Sequence, residues 1–182
     1  MTRQPSSQDD SRRKELLTKY GPRDHFMLTF NPDYQRMICG NSDVCFFGEH
    51  PTLAELNRAY GEETAFAWLI PQLTNLSEYC GCREKLQGKQ LENCADVIAM
   101  EFYFLKVSEL MLFFHRFKTG RYGRFYGSVD PLIITTSLRE FIVERAVAYE
   151  KHDQEERERR AAEHRRRAIT YDEYLRRKEA GL

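Results

Sequence analysis

The sequence predicts a mainly α-helical protein: a compact bundle of roughly four to six helices followed by a long charged helical arm. Three observations carry this expectation. Between Pro51 and Tyr149 the apolar residues recur at helical rather than strand spacing. Helix starts and stops are marked by capping chemistry, as at Thr52-Leu-Ala-Glu55 and Gly61. Beyond Tyr149 the apolar period is lost, and 13 of the 18 residues from Glu150 to Arg167 are charged.

Residues 1–10 have the Ser, Gln and Asp content of a disordered terminus, and the helical domain is read as 11–149. SRRKELLTKYG makes a short helix ended by Gly21. In the stretch 21–50, the runs HFMLTF and RMICG flank the turn signal Asn31-Pro32-Asp33, the pattern of a small β-hairpin or an irregular loop. From Thr52, a capping box opens a helix with Leu53, Leu56 and Tyr60 on one face. Gly61 ends it, and EETAFAWLIPQLTNLSEY forms the next, with Trp68 as core anchor and a kink expected at Pro71. CGCREKLQGK reads as a loop. Leu91, Ala95, Ile98, Phe102 and Leu105 then mark the clearest amphipathic helix.

Ser108 is placed to cap ELMLFFHRFKT, which is apolar almost all round and should be the central, most buried helix, ending at Gly120. After the glycine-rich GRYGRFYGSVD, Asp130-Pro131 resembles a helix start, so helix resumes there or after one short turn, and from about Ser137 the residues Leu138, Phe141, Ile142 and Tyr149 dock one face. Residues 150–182 form the arm. Its pairs Asp153/Arg157, Glu155/Arg159, Glu156/Arg160 and Glu163/Arg167 set the acid four residues ahead of the base, worth about 0.2–0.5 kcal/mol each. Thr170 and Glu173 make a second capping box, and Ile169 with Tyr174 a hydrophobic staple, so a short terminal helix is expected.

Lys plus Arg (28) balances Asp plus Glu (28), so any electrostatic function is local. No apolar run reaches the ~20 residues of a bilayer span, and the polar start lacks a signal core, so the expected location is the cytoplasm. An odd count of five cysteines fits reduced thiols.

The most informative stretch for function is FFHRFKTGRYGRFYG. From Leu110 to Val129 there are four cations and no acid. Arg116, Lys118, Arg121, Tyr122, Arg124 and Tyr126 have the chemistry of a nucleic-acid contact for DNA or RNA: cations neutralise phosphates and aromatic faces stack on unpaired bases. The competing reading makes the phenylalanines core, the glycines turn formers, and the cations solvated or internally paired.

Cys80-x-Cys82, Cys39-x5-Cys45 and Cys94 have poor spacing for zinc, and Cys94 lies in a helical pattern where a thiol is a small apolar residue, so no metal or cofactor is expected. His115 on the apolar helix reads as a packed histidine. No P-loop, H-E-x-x-H, G-x-G-x-x-G or G-x-S-x-G occurs, so the expectation is a protein that is not an enzyme. Tyr171, Tyr174 and Leu175 of the terminal helix are candidate contacts for a protein partner's groove.

PTLAELNRAYGEETAFAWL and LKVSELMLFFHRFKTGRYGRFYGSVDPLIITTSLREFIVERA resemble an uncharacterised family of small proteins encoded by gut Bacteroidetes and their mobile elements. The resemblance spans roughly 45–147, and its marker is E-L-x-x-F-F-x-x-F-K-x-G-x-Y-G-x-F-Y-G-x-V-D-P followed by I-T-x-x-L-R-x-F. It implies no activity. The succession of bundle, charged arm and terminal helix is similar in outline to phage helicase loaders and replisome organisers, an analogy of architecture only. Together these suggest a non-enzymatic accessory protein of a mobile element that contacts nucleic acid and a replication partner; the alternative is a protein-interaction or regulatory module with no nucleic-acid binding.

Overall fold

The computed structural model describes residues 7–167 together with Arg176 and Lys178. The described helices are α1 (Ser7–Tyr20), α2 (Arg23–Thr29), a 3-10 turn (Pro32–Tyr34), α3 (Gln35–Ile38), α4 (Ser42–Phe47), α5 (Leu53–Tyr60), α6 (Thr64–Tyr79), α7 (Gly88–Glu101), α8 (Val107–Lys118) and α9 (Pro131–Arg167). The fold is mainly α as expected, with more and shorter helices than the predicted four to six. Among the described residues there is no strand, only two isolated bridges, Thr52 with Lys106 and Glu84 with Ser128. The chain divides into two compact units, Met1–Ile142 and Val143–Leu182. Helix α1 begins at Ser7, inside the stretch that composition marks as disordered.

The hairpin reading of 21–50 is corrected: this stretch is helical. In a strand Phe26, Leu28 and Phe30 would share a face, yet Phe26 and Phe30 are buried while Leu28 is 66% exposed, the pattern of an i, i+4 pair. The asparagines start helical turns instead of a β-turn. Asn31 Oδ1 accepts from Asp33 N at 2.8 Å and Asn41 Oδ1 from Asp43 N at 2.9 Å, each satisfying an otherwise orphan amide.

The capping box at Thr52 forms as expected: Glu55 N donates to Thr52 Oγ1 (3.2 Å) and Thr52 N to Glu55 Oε2 (2.8 Å). Helix α6 runs on through Pro71 to Tyr79. Helix α7 ends at Glu101, earlier than its apolar pattern, but Phe102 and Leu105 remain buried because the turn after it pairs with the start of α5. There Leu53 N donates to Leu105 O and Ala54 N to Tyr103 O.

Helix α8 is the centre of the first unit, with nine of its 12 residues buried. It touches α3, α4 and α6. Phe113 packs obliquely on Phe114 and Tyr122 and meets Phe117, and Phe141 of α9, edge-on, both at 5.8 Å. Such aromatic pairs add about 0.5–1.5 kcal/mol each beyond their area burial. Ser108 does not cap α8. The helix starts two residues earlier, at Val107, and Ser108 Oγ donates to Cys45 O (2.8 Å) while Lys106 Nζ donates to Phe46 O and Gly48 O, so the entry to α8 satisfies the open carbonyls at the end of α4.

A buried polar chain crosses the same core. Trp68 Nε1 and Gln72 Nε2 both donate to Phe30 O at 2.8 Å, and Gln35 Nε2 donates to Gln72 Oε1 at 2.7 Å. Gln35 and Gln72 are almost fully buried, which is tolerable only because their polar atoms are engaged.

In α9, Asp130 Oδ1 accepts from Leu132 N at the start, and Ile134, Leu138 and Phe141 are buried. Past Phe141 no described residue is buried. Of the predicted charge pairs, Glu156/Arg160 and Glu163/Arg167 form (3.8 and 2.6 Å); Glu156 also meets Arg159, and Glu155 meets Lys151. No described helix is long and apolar enough to cross a membrane.

Candidate nucleic-acid interface

The predicted basic segment divides into two parts. Arg116 and Lys118, on α8, serve the fold. The Arg116 guanidinium lies over the rings of Phe46 (5.5 Å) and Phe141 (5.9 Å), a pair of cation–π contacts. Lys118 is half-buried and its amine donates to Gln35 Oε1 at 2.7 Å and to Asn75 Oδ1, ending the buried polar chain; burial pulls its pKa below the usual lysine value. Phe113, Phe114 and Phe117 are core. Tyr122 packs on Phe113 and Phe117, and Phe125 stacks on Phe117 at 5.2 Å and 16°.

Arg121, Arg124 and Tyr126 are exposed, Tyr126 at 87%. Their loop begins at Gly120 and closes at Gly127, both at positive φ (83° and 78°), where a side chain would be strained. Thereafter the loop is pinned twice. Val129 is buried, and Glu84 N donates to Gly127 O while Val129 N donates to Glu84 O, both at 3.0 Å. The partner loop is equally fixed, because Leu86 is buried and its amide donates to Ser77 Oγ at 2.8 Å.

This pairing brings in residues that the sequence pattern alone does not single out. Arg83, Lys85 and Lys89 sit on the first loop and the start of α7, all exposed, beside the loop of Arg121 and Arg124. Tyr79, 63% exposed, ends α6 next to them. Glu84 is the acid between, its backbone forming the bridge. The signal existed in CREKLQGK, with three cations in eight residues, but only the bridge from Glu84 to Ser128 joins it to the second loop. The result is a composite surface of five cations and two exposed tyrosines on two loops and the adjoining ends of α6 and α7.

Elsewhere the chemistry is sparse. The five cysteines are unpaired as disulfides, and among the described residues no group of three or more His, Cys, Asp or Glu side chains is arranged to hold a metal. In the core the Cys45 thiol donates to Ile38 O at 3.5 Å, and Cys39 is buried. Burial pushes the Cys94 thiol up to about 12, in keeping with an inert apolar role. Tyr171, Tyr174 and Leu175 lie outside the described residues.

A mainly α-helical protein with a two-loop basic and aromatic surface is the class that fold and site define. The chain belongs to a family of unknown function, DUF6633, whose profile matches residues 85–181, more than half of its length and further toward the C-terminus than the stretch carrying the Bacteroidetes resemblance. No curated protein and no solved structure matches it.

Proposed function

We propose that the chain is a non-enzymatic, cytoplasmic accessory protein that binds single-stranded or looped nucleic acid through the paired loops 79–89 and 120–129, in the DNA metabolism of a mobile element. The observation that carries this reading is the backbone ladder between Glu84 and the Gly127–Val129 segment, which holds Arg83, Lys85, Arg121 and Arg124 together with Tyr79 and Tyr126 on fixed supports. A loop backbone already held in place spares the ordering cost of binding phosphates, and an exposed tyrosine ring supplies about 1–3 kcal/mol of stacking on an unpaired base. The mobile-element setting rests on the sequence marker alone.

Fluorescence anisotropy with short single-stranded and duplex DNA and RNA tests the reading across a salt series. Preference for single strands is expected, with affinity falling as salt rises and the slope reduced by about one for each phosphate contact removed. Arg83→Glu/Arg124→Glu should abolish binding with the thermal midpoint unchanged, since both side chains are exposed. The internal employment of Arg116 and Lys118 favours the second reading, a protein-interaction module, and absence of binding at low salt would select it.

A further inference from the structure

At the other end of the α6–α7 pair from the basic loops, the turn between α5 and α6 and the second half of α7 enclose a groove of about 400 Å³. It is lined by Asn57, Glu62, Glu63, Phe66, Asp96, Ala99 and Met100. Phe66, Ala99 and Met100 give an apolar floor, and three carboxylates give the rim, with no cation among the lining residues. Asn57 is already employed, its Oδ1 accepting from Ala65 N at 2.7 Å. Glu62, Glu63 and Asp96 are exposed and form no ion pair among the described residues. Met100 itself is 74% exposed, and outside the groove Val97 and Tyr103 are 43% and 56% exposed. Large apolar side chains contiguous with a polar-rimmed concavity mark a docking surface.

We infer that this groove binds the C-terminal segment of a second copy of the chain. Its occupant must offer apolar side chains at helical spacing flanked by cations; RRKELLTKY at 12–20 has that pattern but buries Leu16 and Tyr20 in its own core, which leaves the C-terminal segment. From Arg165 to Leu182 there are six cations against three acids, and Tyr171, Tyr174, Leu175 and Lys178 recur at the i, i+3, i+4, i+7 spacing by which helices anchor in grooves. Arg176 and Lys178 are exposed, leaving their charges available to the carboxylate rim. The interface is heterologous, groove to tail, so each copy carries both halves and association continues from copy to copy unless a ring closes.

The test mixes two full-length, nuclease-treated variants. Glu62→Lys/Asp96→Lys removes the groove's charge and keeps the tail; Arg176→Glu/Arg177→Glu removes the tail's charge and keeps the groove. Mass is read by light scattering after gel filtration at low salt, with circular dichroism as the folding control. The wild type is expected to associate as concentration rises, each variant alone to run as a monomer, and the mixture to form a 1:1 complex, because one supplies the only competent tail and the other the only competent groove. A wild type that stays monomeric at high concentration overturns the inference. So does association persisting in either variant alone, or a mixture with no 1:1 complex. Neither variant touches the loops 79–89 and 120–129, so nucleic-acid binding is measured independently.

Discussion

At the scale of single residues, the structure separates side chains that look alike in the sequence. Lys118 and Arg124 are both cations in one basic run, yet the Lys118 amine ends a buried chain of amides and Arg124 is exposed on a loop. Lys118→Met should therefore lower the thermal midpoint, by about 1–3 kcal/mol of lost stability, since Gln35 Oε1 loses its donor in the core. Arg124→Glu should leave the melt unchanged and weaken nucleic-acid binding. Glu55 gives the clearest pH dependence. Burial pushes its carboxyl up, but the Thr52 amide and the Arg12 guanidinium (2.8 Å) together outweigh burial and hold it below its ordinary value of 4.5. A carboxyl with a depressed folded pKa stabilises fully above its unfolded value and less as pH falls through the folded one. Glu55→Gln should thus cost about 1 kcal/mol at neutral pH, and melts in progressively more acid buffer should show the difference from wild type vanish below pH 4.5. His50 acts in the same direction higher up: burial, then Lys19 and Lys106, lower its pKa from 6.5, so the unfolded chain takes up its proton first and stability begins to fall as pH drops through that value.

At the scale of elements, the two loops of the basic surface are one unit because Gly127 reaches φ 78° and turns its carbonyl to Glu84 N. Nothing lies within 4 Å of a Cβ built there, so Gly127→Val acts through the backbone alone, at about 1–2 kcal/mol for a left-handed non-glycine residue. Hydrogen exchange should show the amides of Glu84 and Val129 freed while those of α8 stay protected, with nucleic-acid affinity falling several-fold. Elements whose signals are local were legible in the sequence. The Thr52 capping box, the Gly61 stop, the all-round apolar α8 and the Asp130-Pro131 start each depend on residues of a single helix and its ends. What was not legible depends on partners far along the chain. Ser108 has the right type and place for an N-cap, but the carbonyl of Cys45, 63 residues away, takes its hydroxyl. Likewise HFMLTF reads as strand by composition and is helix because Phe26 and Phe30 are buried together against Tyr20 and Tyr60. The candidate surface was half visible for the same reason: the second loop is basic in sequence, and the first joins it only through a bridge across 44 residues.

At the scale of the whole molecule, a formal net charge of zero conceals local polarity. Helix α6 has 16 residues, about 24 Å at the usual rise, with Glu62 and Glu63 before its first turn and Arg83, Lys85 and Lys89 after its last. Such separated fields are screened over about 10 Å at moderate salt, so each surface acts on a partner at close range and both weaken as salt rises. Stability follows a different division. The buried side chains of α9 end at Phe141, which meets Phe113 at 5.8 Å and Phe46 at 5.9 Å, and no described residue after it is buried. A chain ending at Tyr149 should therefore melt cooperatively within a few degrees of the full-length protein, since among the described residues it loses surface ion pairs worth well under 1 kcal/mol each and no buried side chain. A chain ending at Asp130 loses Ile134, Leu138 and Phe141 from the core at once. At about 2–5 kcal/mol for each large apolar side chain removed, that exceeds much of a domain's marginal stability. The expected outcome is loss of the cooperative melt and of near-ultraviolet dichroism in the shorter chain only. Cooperative unfolding retained by both truncations would mean that α9 does not complete the core.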